Sequence, residues 1–187
     1  MTNPGPAETS AIDRVDAARD VRRDVDLGAF VTEHYDRLLG LARLVCRDGA
    51  DAGDAVQAGL ERAWRQRATL RDQERVRPWL DRIIVRESIR IGRSRRSWLG
   101  RVFGLDQEVE WVDPVDPFAV QGSSWSAVRA AFSGLTPEQR AVIALHLYLG
   151  YSVAETAELV GAPIETVRSR LRLAKDRLRR ELQESES

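Results

Sequence analysis

The sequence predicts an all-α protein with two small helical bundles joined by a flexible acidic linker. Apolar residues recur every three or four positions on both sides of a central segment, as on one face of a helix, and no stretch alternates in the manner of a β-strand. Glycine and proline interrupt the periodicity between the two halves, and 187 residues are enough for two small domains. The predicted divisions are a flexible N-terminal extension (1–26), a first bundle (27–97), the linker (98–122) and a second bundle (123–187).

Three helices are predicted in the first bundle. The apolar pattern of the first runs from Leu27 to Val45, and Asp48-Gly49 is the signal that ends this helix. The second begins near Asp51. The third begins around Pro78, a residue well suited to a first helical turn, and continues past Ile91.

The second helix carries an apolar row in which Val56, Leu60 and Trp64 are each four residues apart. We interpret this row as a face that packs into the bundle. Trp64 is therefore expected to be a core residue.

The second bundle begins its helices at two capping boxes, Thr136–Gln139 and Ser152–Glu155. The first of these helices is expected to stop at Gly150. The second is short and is followed by a turn at Gly161–Pro163, after which a last helix is predicted over 164–182.

The charged residues are unevenly distributed, although 29 basic residues balance 29 acidic ones. Residues 82–101 contain seven arginines and one acid, and residues 165–180 contain seven basic residues and two acids. Five acids and no base lie between Asp106 and Asp116. The zero net charge is thus a cancellation between two basic helices and acidic segments, and arginine suits contacts with phosphates and guanine edges.

Several classes of protein are excluded by composition. The single Cys46 lies in an apolar run and is expected to be buried and structural, and one cysteine with two distant histidines leaves no metal site. We find no nucleophile–base pair and no phosphate-binding glycine loop, so neither a catalytic activity nor a cofactor is predicted. No apolar run is long enough to span a bilayer, and the N-terminus is unlike a signal peptide, so a cytoplasmic location is expected.

A helix-turn-helix is predicted near the C-terminus, with residues 152–160 as its first helix and the helix from Ile164 as its recognition helix. Val167 and Leu171 are expected to face the bundle core. The polar residues at the start of the recognition helix are candidates for base edges and phosphates in the major groove. These candidates are Thr166, Arg168, Ser169, Arg170, Arg172 and Lys175.

Both halves resemble one family. The stretch LTPEQRAVIALHLYLGYSVAETAELVGAPIETVRSRLRLAKDRLRREL is similar to region 4 of bacterial sigma-70 factors of the extracytoplasmic-function (ECF) type. The stretches FVTEHYDRLLGLARLV, DAGDAVQAGLERAW and LRDQERVRPWLDRIIVRESI resemble region 2. The resemblance implies a protein that binds the RNA polymerase core and promoter DNA and directs initiation, commonly under the control of an anti-sigma factor.

The resemblance also implies site residues, and it assigns the helix from Ile164 and its candidates to the −35 promoter element. Asp54, Gln57 and Arg62 match the motif that docks on the polymerase clamp. The segment that captures an unstacked base of the −10 element would use Arg71, Arg75, Trp79, Arg82, Arg86 and Arg90, although Trp79 is equally compatible with a place in the core. Ala58 and Gly59 replace a polar pair usual in this motif, and Arg86 replaces a usual asparagine.

Two alternatives remain open on the sequence alone. The acidic linker is compatible with a basic polymerase channel and with an ordinary solvated linker. The chain as a whole is also compatible with a stand-alone helix-turn-helix regulator of the LuxR type, whose first bundle would serve for dimerisation or signal binding.

Overall fold

A computed structural model describes residues 26–46, 48–70, 72–103, 132 and 134–185. These ranges contain α-helices and short 3₁₀ and π segments and no β-strand, in agreement with the predicted all-α class. Arg71, the N-terminal extension before residue 26 and the predicted linker beyond residue 103 lie outside the described residues. The helices are α1 (Leu27–Val45), α2 (Gly49–Gln66), α3 (Val76–Phe103), α4 (Pro137–Ile143), α5 (Val153–Val160) and α6 (Ile164–Ser185).

Side chains cap the starts of α1 and α2. The Asp26 carboxylate accepts a hydrogen bond from the Ala29 amide at 3.0 Å, and that of Asp48 accepts one from the Ala50 amide at 2.7 Å. Both helices begin close to their predicted starts. The third predicted helix is longer than expected, since α3 continues through residues 98–103.

The first bundle packs α1, α2 and α3 around large apolar side chains, among them Leu38, Val56, Leu80 and Ile84, each at most 1% exposed. α2 lies close to α3 at Gly59, where an added Cβ would be 2.5 Å from the Ile84 Cδ1. This contact accounts for glycine in place of a larger residue, although glycine costs a helix about 1 kcal/mol relative to alanine.

The second bundle follows the predicted capping pattern. Both capping boxes form, with Thr136 and Ser152 as the N-caps, and Pro137 occupies the first turn of α4. A π-helical segment over Ala144–Tyr148 continues α4, and α5 ends at Gly161 in the left-handed conformation at φ 71°. The bundle core contains Phe132, Leu135, Val142, Ile143, Ala157, Val167, Leu171 and Ala174.

A further apolar cluster lies between the two halves, where α1 and α3 pack against α4, α5 and the π-helical segment. Its buried members are Leu41, Leu44, Val45, Val85, Ile89, Ala141, Ala144, Leu145 and Leu159. Arg140, only 1% exposed, crosses the same boundary and donates from Nε to the Val45 carbonyl at 2.7 Å. The two bundles are therefore in direct contact in this structure.

Candidate nucleic-acid and polymerase interface

The helix-turn-helix consists of α5, the turn at residues 161–163 and α6. The α6 face that packs inward carries Val167 and Ala174, both fully buried, as the apolar spacing predicts. The opposite face is exposed at Arg168, Ser169, Arg172 and Lys175, whereas Thr166 and Arg170 are half-buried.

The exposed face has the chemistry that a major groove requires. Arginine donates two parallel hydrogen bonds to guanine, hydroxyls bond to bases or phosphates, and basic side chains pair with phosphates. Arg168 forms an ion pair with Glu165 one turn earlier, an exposed interaction that a phosphate could replace at little cost.

Three of the −10 candidates, Arg82, Arg86 and Arg90, form an arginine stripe on α3. Arg82, Arg86 and Arg90 are exposed at successive turns, and Arg75 precedes them with an exposed ion pair to Asp72 at 3.6 Å. Trp79 is half-buried against the core of the first bundle, so the structure brings it beside the stripe while its ring contributes to packing.

Arg86 contacts the helix-turn-helix directly. Its Nε donates to the Leu159 carbonyl and its Nη2 to the Glu158 carbonyl, each at 2.9 Å. These carbonyls belong to the last turn of α5, where unpaired acceptors and the helix dipole favour a cation. Burial, followed by the charge of Arg82, lowers the pKa of Arg86.

Asp81, which is not among the predicted site residues, links α3 to α1 and to the loop before α5. Both terminal nitrogens of Arg37 donate to its carboxylate at 2.7 Å, and the Tyr151 hydroxyl donates to it at the same distance. The Asp81 side chain is fully buried, and this desolvation raises its pKa despite Arg37. The sequence signal that could have identified Asp81 is its acidic side chain between Leu80 and Ile83, on the apolar part of the third predicted helix.

The polymerase-docking candidates lie on α2 in two different environments. Asp54 and Gln57 are exposed, and Gln57 donates to Glu61 at 3.4 Å. Arg62 instead pairs at 3.1 Å with Glu87, a buried residue that Arg90 also contacts at 2.6 Å. Arg62 thus links α2 to α3, whereas Arg90 lies on α3 with Glu87 and pairs with the same carboxylate one turn away.

The expectation that Trp64 is a core residue is wrong, because its side chain is 56% exposed. Residues eight apart in a helix differ by about 80° around the axis, since a turn takes 3.6 residues. The inward line of α2 follows Ala52, Ala55 and Ala63, and Trp64 lies beside that line with the Arg67 guanidinium 4.8 Å from its ring.

Cys46 is fully buried as predicted, and burial raises its pKa to about 12. Among the described residues no three metal-ligating side chains come together. In the same part of the chain, no helix combines the length and the apolar character that crossing a bilayer requires.

Comparison with known proteins extends these observations to a family. The family models described as "Sigma-70 region 2" and "Sigma-70, region 4" match residues 30–98 and 125–178. The ECF RNA polymerase sigma factor SigM of Mycobacterium tuberculosis is 36% identical over 147 residues, which are 79% of this chain and 72% of SigM. SigL of the same organism is 33% identical over 158 residues, 83% of this chain and 88% of SigL.

A solved structure shares the fold. The sigma factor RpoE of Bartonella quintana, determined in complex with the anti-sigma factor NepR, is 23% identical. It matches with a TM-score of 0.67 over 84% of this chain and 97% of RpoE.

Two helical bundles that match regions 2 and 4 define a sigma-70-type transcription factor. The chain belongs to the extracytoplasmic-function sigma factors of that family. It binds the RNA polymerase core and directs promoter-specific initiation. The alternative of a stand-alone regulator is not favoured, because the similarity covers both bundles.

Proposed function

We propose that α6 reads the −35 element and that α3, with the segment before it, reads the −10 element. The observation that carries this proposal is the division of α6 into two faces. Val167, Leu171 and Ala174 fix one face in the bundle core, so the basic face is held outward on a rigid helix. Within that face the contacts fall to Thr166, Arg168, Ser169, Arg170, Arg172 and Lys175.

In the −10 interaction, the exposed arginines of α3 would bind the phosphates of a separated strand. A flipped base loses its stacking, which costs a few kcal/mol, and a pocket with an aromatic or guanidinium surface compensates for that loss. Trp79 and Arg82 offer such surfaces one turn apart. The full candidate set is Arg71, Arg75, Trp79, Arg82, Arg86 and Arg90.

The proposed polymerase contact is the exposed face of α2. Asp54 and Gln57 supply polar groups, and Trp64 adds an exposed ring of the kind that often dominates the binding energy of protein interfaces. Arg62 contributes positive charge at the edge of this face while it holds Glu87.

The remaining roles follow from this assignment. Polymerisation chemistry stays with the core enzyme, and the chain itself supplies promoter specificity where that enzyme works, in the cytoplasm. An anti-sigma factor is the expected regulator, since the similar RpoE was crystallised with one.

The test of the −35 assignment replaces Arg168 or Arg172 with alanine. Each variant is expected to reduce transcription from a −35-dependent promoter by about tenfold, because a good base or phosphate contact is worth about 1–3 kcal/mol. Each lost phosphate contact should also lower the salt slope of DNA binding by about 0.9. Run-off transcription with reconstituted holoenzyme measures the first effect.

Arg180→Ala is the matched control, because it removes the same charge from an exposed position of α6 more than two turns further along. Binding to core polymerase should stay unchanged in all three variants. Equal transcription by all three would contradict the assignment of α6 to the −35 element.

A further inference from the structure

Glu87 is a buried acid among the exposed arginines of α3. Its side chain is only 4% exposed, although Arg86 and Arg90 on the same helix are open to solvent. A carboxylate removed from water is unfavourable unless charged groups are paired with it. Two arginines from different helices supply those charges, so Glu87 is the centre of a small ionic cluster.

Each oxygen of this carboxylate faces one arginine. Arg90, one turn further along α3, donates from Nε to Oε2 at 2.6 Å, and Nη1 of Arg62 on α2 lies 3.1 Å from Oε1. The cluster therefore contains two guanidinium groups and one carboxylate. Arg62 approaches the acid from α2, and the side chain of Arg90, which is 58% exposed, extends from it into solvent.

The bond to Glu87 uses only one of the five N–H donors of Arg90. The two terminal nitrogens carry the other four, and within the part of the chain that the structure describes they have no hydrogen bond or ion pair. A guanidinium held in this way presents its terminal nitrogens for two parallel hydrogen bonds to a phosphate. Glu87 thus fixes the stem of Arg90 and leaves its binding edge open.

A restrained arginine binds better than an unrestrained one. Long side chains lose rotamer freedom when they are immobilised on a ligand, and a side chain that is already held loses less. Arg82, about two turns earlier on α3, offers the comparison, because it is exposed and has no hydrogen bond or ion pair with another described residue. Glu87 therefore acts on one arginine of the stripe and not on the other.

We propose that Glu87 is a positioning residue for the −10 interaction. It orients Arg90 toward a phosphate of the separated strand, and Arg62 balances its charge from α2. Glu87 itself does not touch DNA. This inference rests on the proposed role of Arg90.

A double-mutant cycle between Glu87→Gln and Arg90→Ala tests the proposal. Glutamine keeps the size of the side chain and removes its charge. Reconstituted holoenzyme is titrated with a fluorescent single strand that carries the −10 region of a promoter identified by start-site mapping. Glu87→Gln is expected to weaken binding by about two- to tenfold, which is the effect of having to order one long side chain on binding. The same change should have no further effect once Arg90 is alanine.

A cycle between Glu87→Gln and Arg82→Ala is the matched control. Arg82 shares no partner with Glu87 among the described residues, so the effects of these two substitutions should add. A general loss of structure in Glu87→Gln would weaken binding equally whether Arg90 is present or absent. Glu181→Gln, which breaks an exposed pair with Arg177 at 3.7 Å on α6, should bind like the wild type.

The possible results separate this proposal from the function on which it rests. Full additivity between Glu87→Gln and Arg90→Ala would overturn the positioning role. Wild-type binding by Glu87→Gln, together with weakened binding by Arg90→Ala, would also overturn it and would leave the −10 assignment of Arg90 intact. Wild-type binding by Arg90→Ala would instead contradict the proposed function.

A second measurement uses the wild-type chain and so does not depend on the folding of a variant. The Nε–H hydrogen of Arg90 is bonded to a buried carboxylate, whereas that of Arg82 has no described partner. In nuclear magnetic resonance spectra the Arg90 hydrogen is expected to exchange with water more slowly than the Arg82 hydrogen. Equal exchange rates at the two side chains would overturn the proposal.

Discussion

At the residue scale, Asp81 is a buried carboxylate whose ionisation depends on its hydrogen-bond partners. A carboxylate fully removed from water is costly to ionise, and the raised pKa of Asp81 reflects that cost. Arg37 of α1 and Tyr151 of the loop before α5 offset the cost with hydrogen bonds at 2.7 Å. The carboxylate therefore fixes the position of α3 relative to α1 and to the start of the helix-turn-helix.

Replacement of Asp81 with alanine should be strongly destabilising. Loss of one partner of a buried pair leaves the other charge uncompensated, so we expect the free energy of unfolding to fall by about 3–5 kcal/mol in urea denaturation. Asp72→Ala removes a half-exposed partner of Arg75 and should change stability by less than about 1 kcal/mol. Similar losses in both variants would contradict the structural role of Asp81.

At the scale of the element, the helix-turn-helix depends on the way α5 ends. Gly161 adopts a left-handed conformation at φ 71°, which costs an L-residue with a side chain about 1–2 kcal/mol. Its amide donates to the Ala157 carbonyl at 2.9 Å and closes the last turn. This turn sets the direction in which α6 leaves, and hence the orientation of the basic face.

Two glycine substitutions should have opposite effects. Gly161→Ala combines an unfavourable φ with a clash against Arg86, and we expect a loss of at least about 1 kcal/mol in urea denaturation. Gly40→Ala adds a Cβ within α1 that would meet nothing within 4 Å beyond its chain neighbours and the local helix backbone, and should stabilise by up to about 1 kcal/mol. Shifts of the same sign in the two variants would contradict this account of the turn.

The element scale also shows what the sequence could predict. Capping boxes are local signals, and those at Thr136 and Ser152 gave the starts of α4 and α5 correctly. The prediction that Trp64 is buried failed because residues spaced four apart gradually change direction around a helix with 3.6 residues per turn. Such a row therefore does not show which side of the helix is buried. The contact of Arg86 with α5 has no sequence signal, since it joins residues more than 70 positions apart through backbone carbonyls.

At the scale of the whole molecule, the contact between the two bundles has an indirect signal in the sequence. The end of α1 is apolar around most of its circumference, and a helix of that kind is buried on more than one side. Leu38 and Ala42 pack into the first bundle, whereas Leu41 and Leu44 pack against the second. The two basic helices of a chain with zero net charge are thus brought together by apolar packing.

The most direct test of the central claim is transcription start-site mapping with RNA polymerase core alone and with core plus this chain, on fragmented genomic DNA of the source organism. The account predicts new start sites only when the chain is present, each preceded by shared −10 and −35 sequences. A chain that bound a duplex site tightly as a dimer in the absence of core, and that added no start sites to core polymerase, would contradict it.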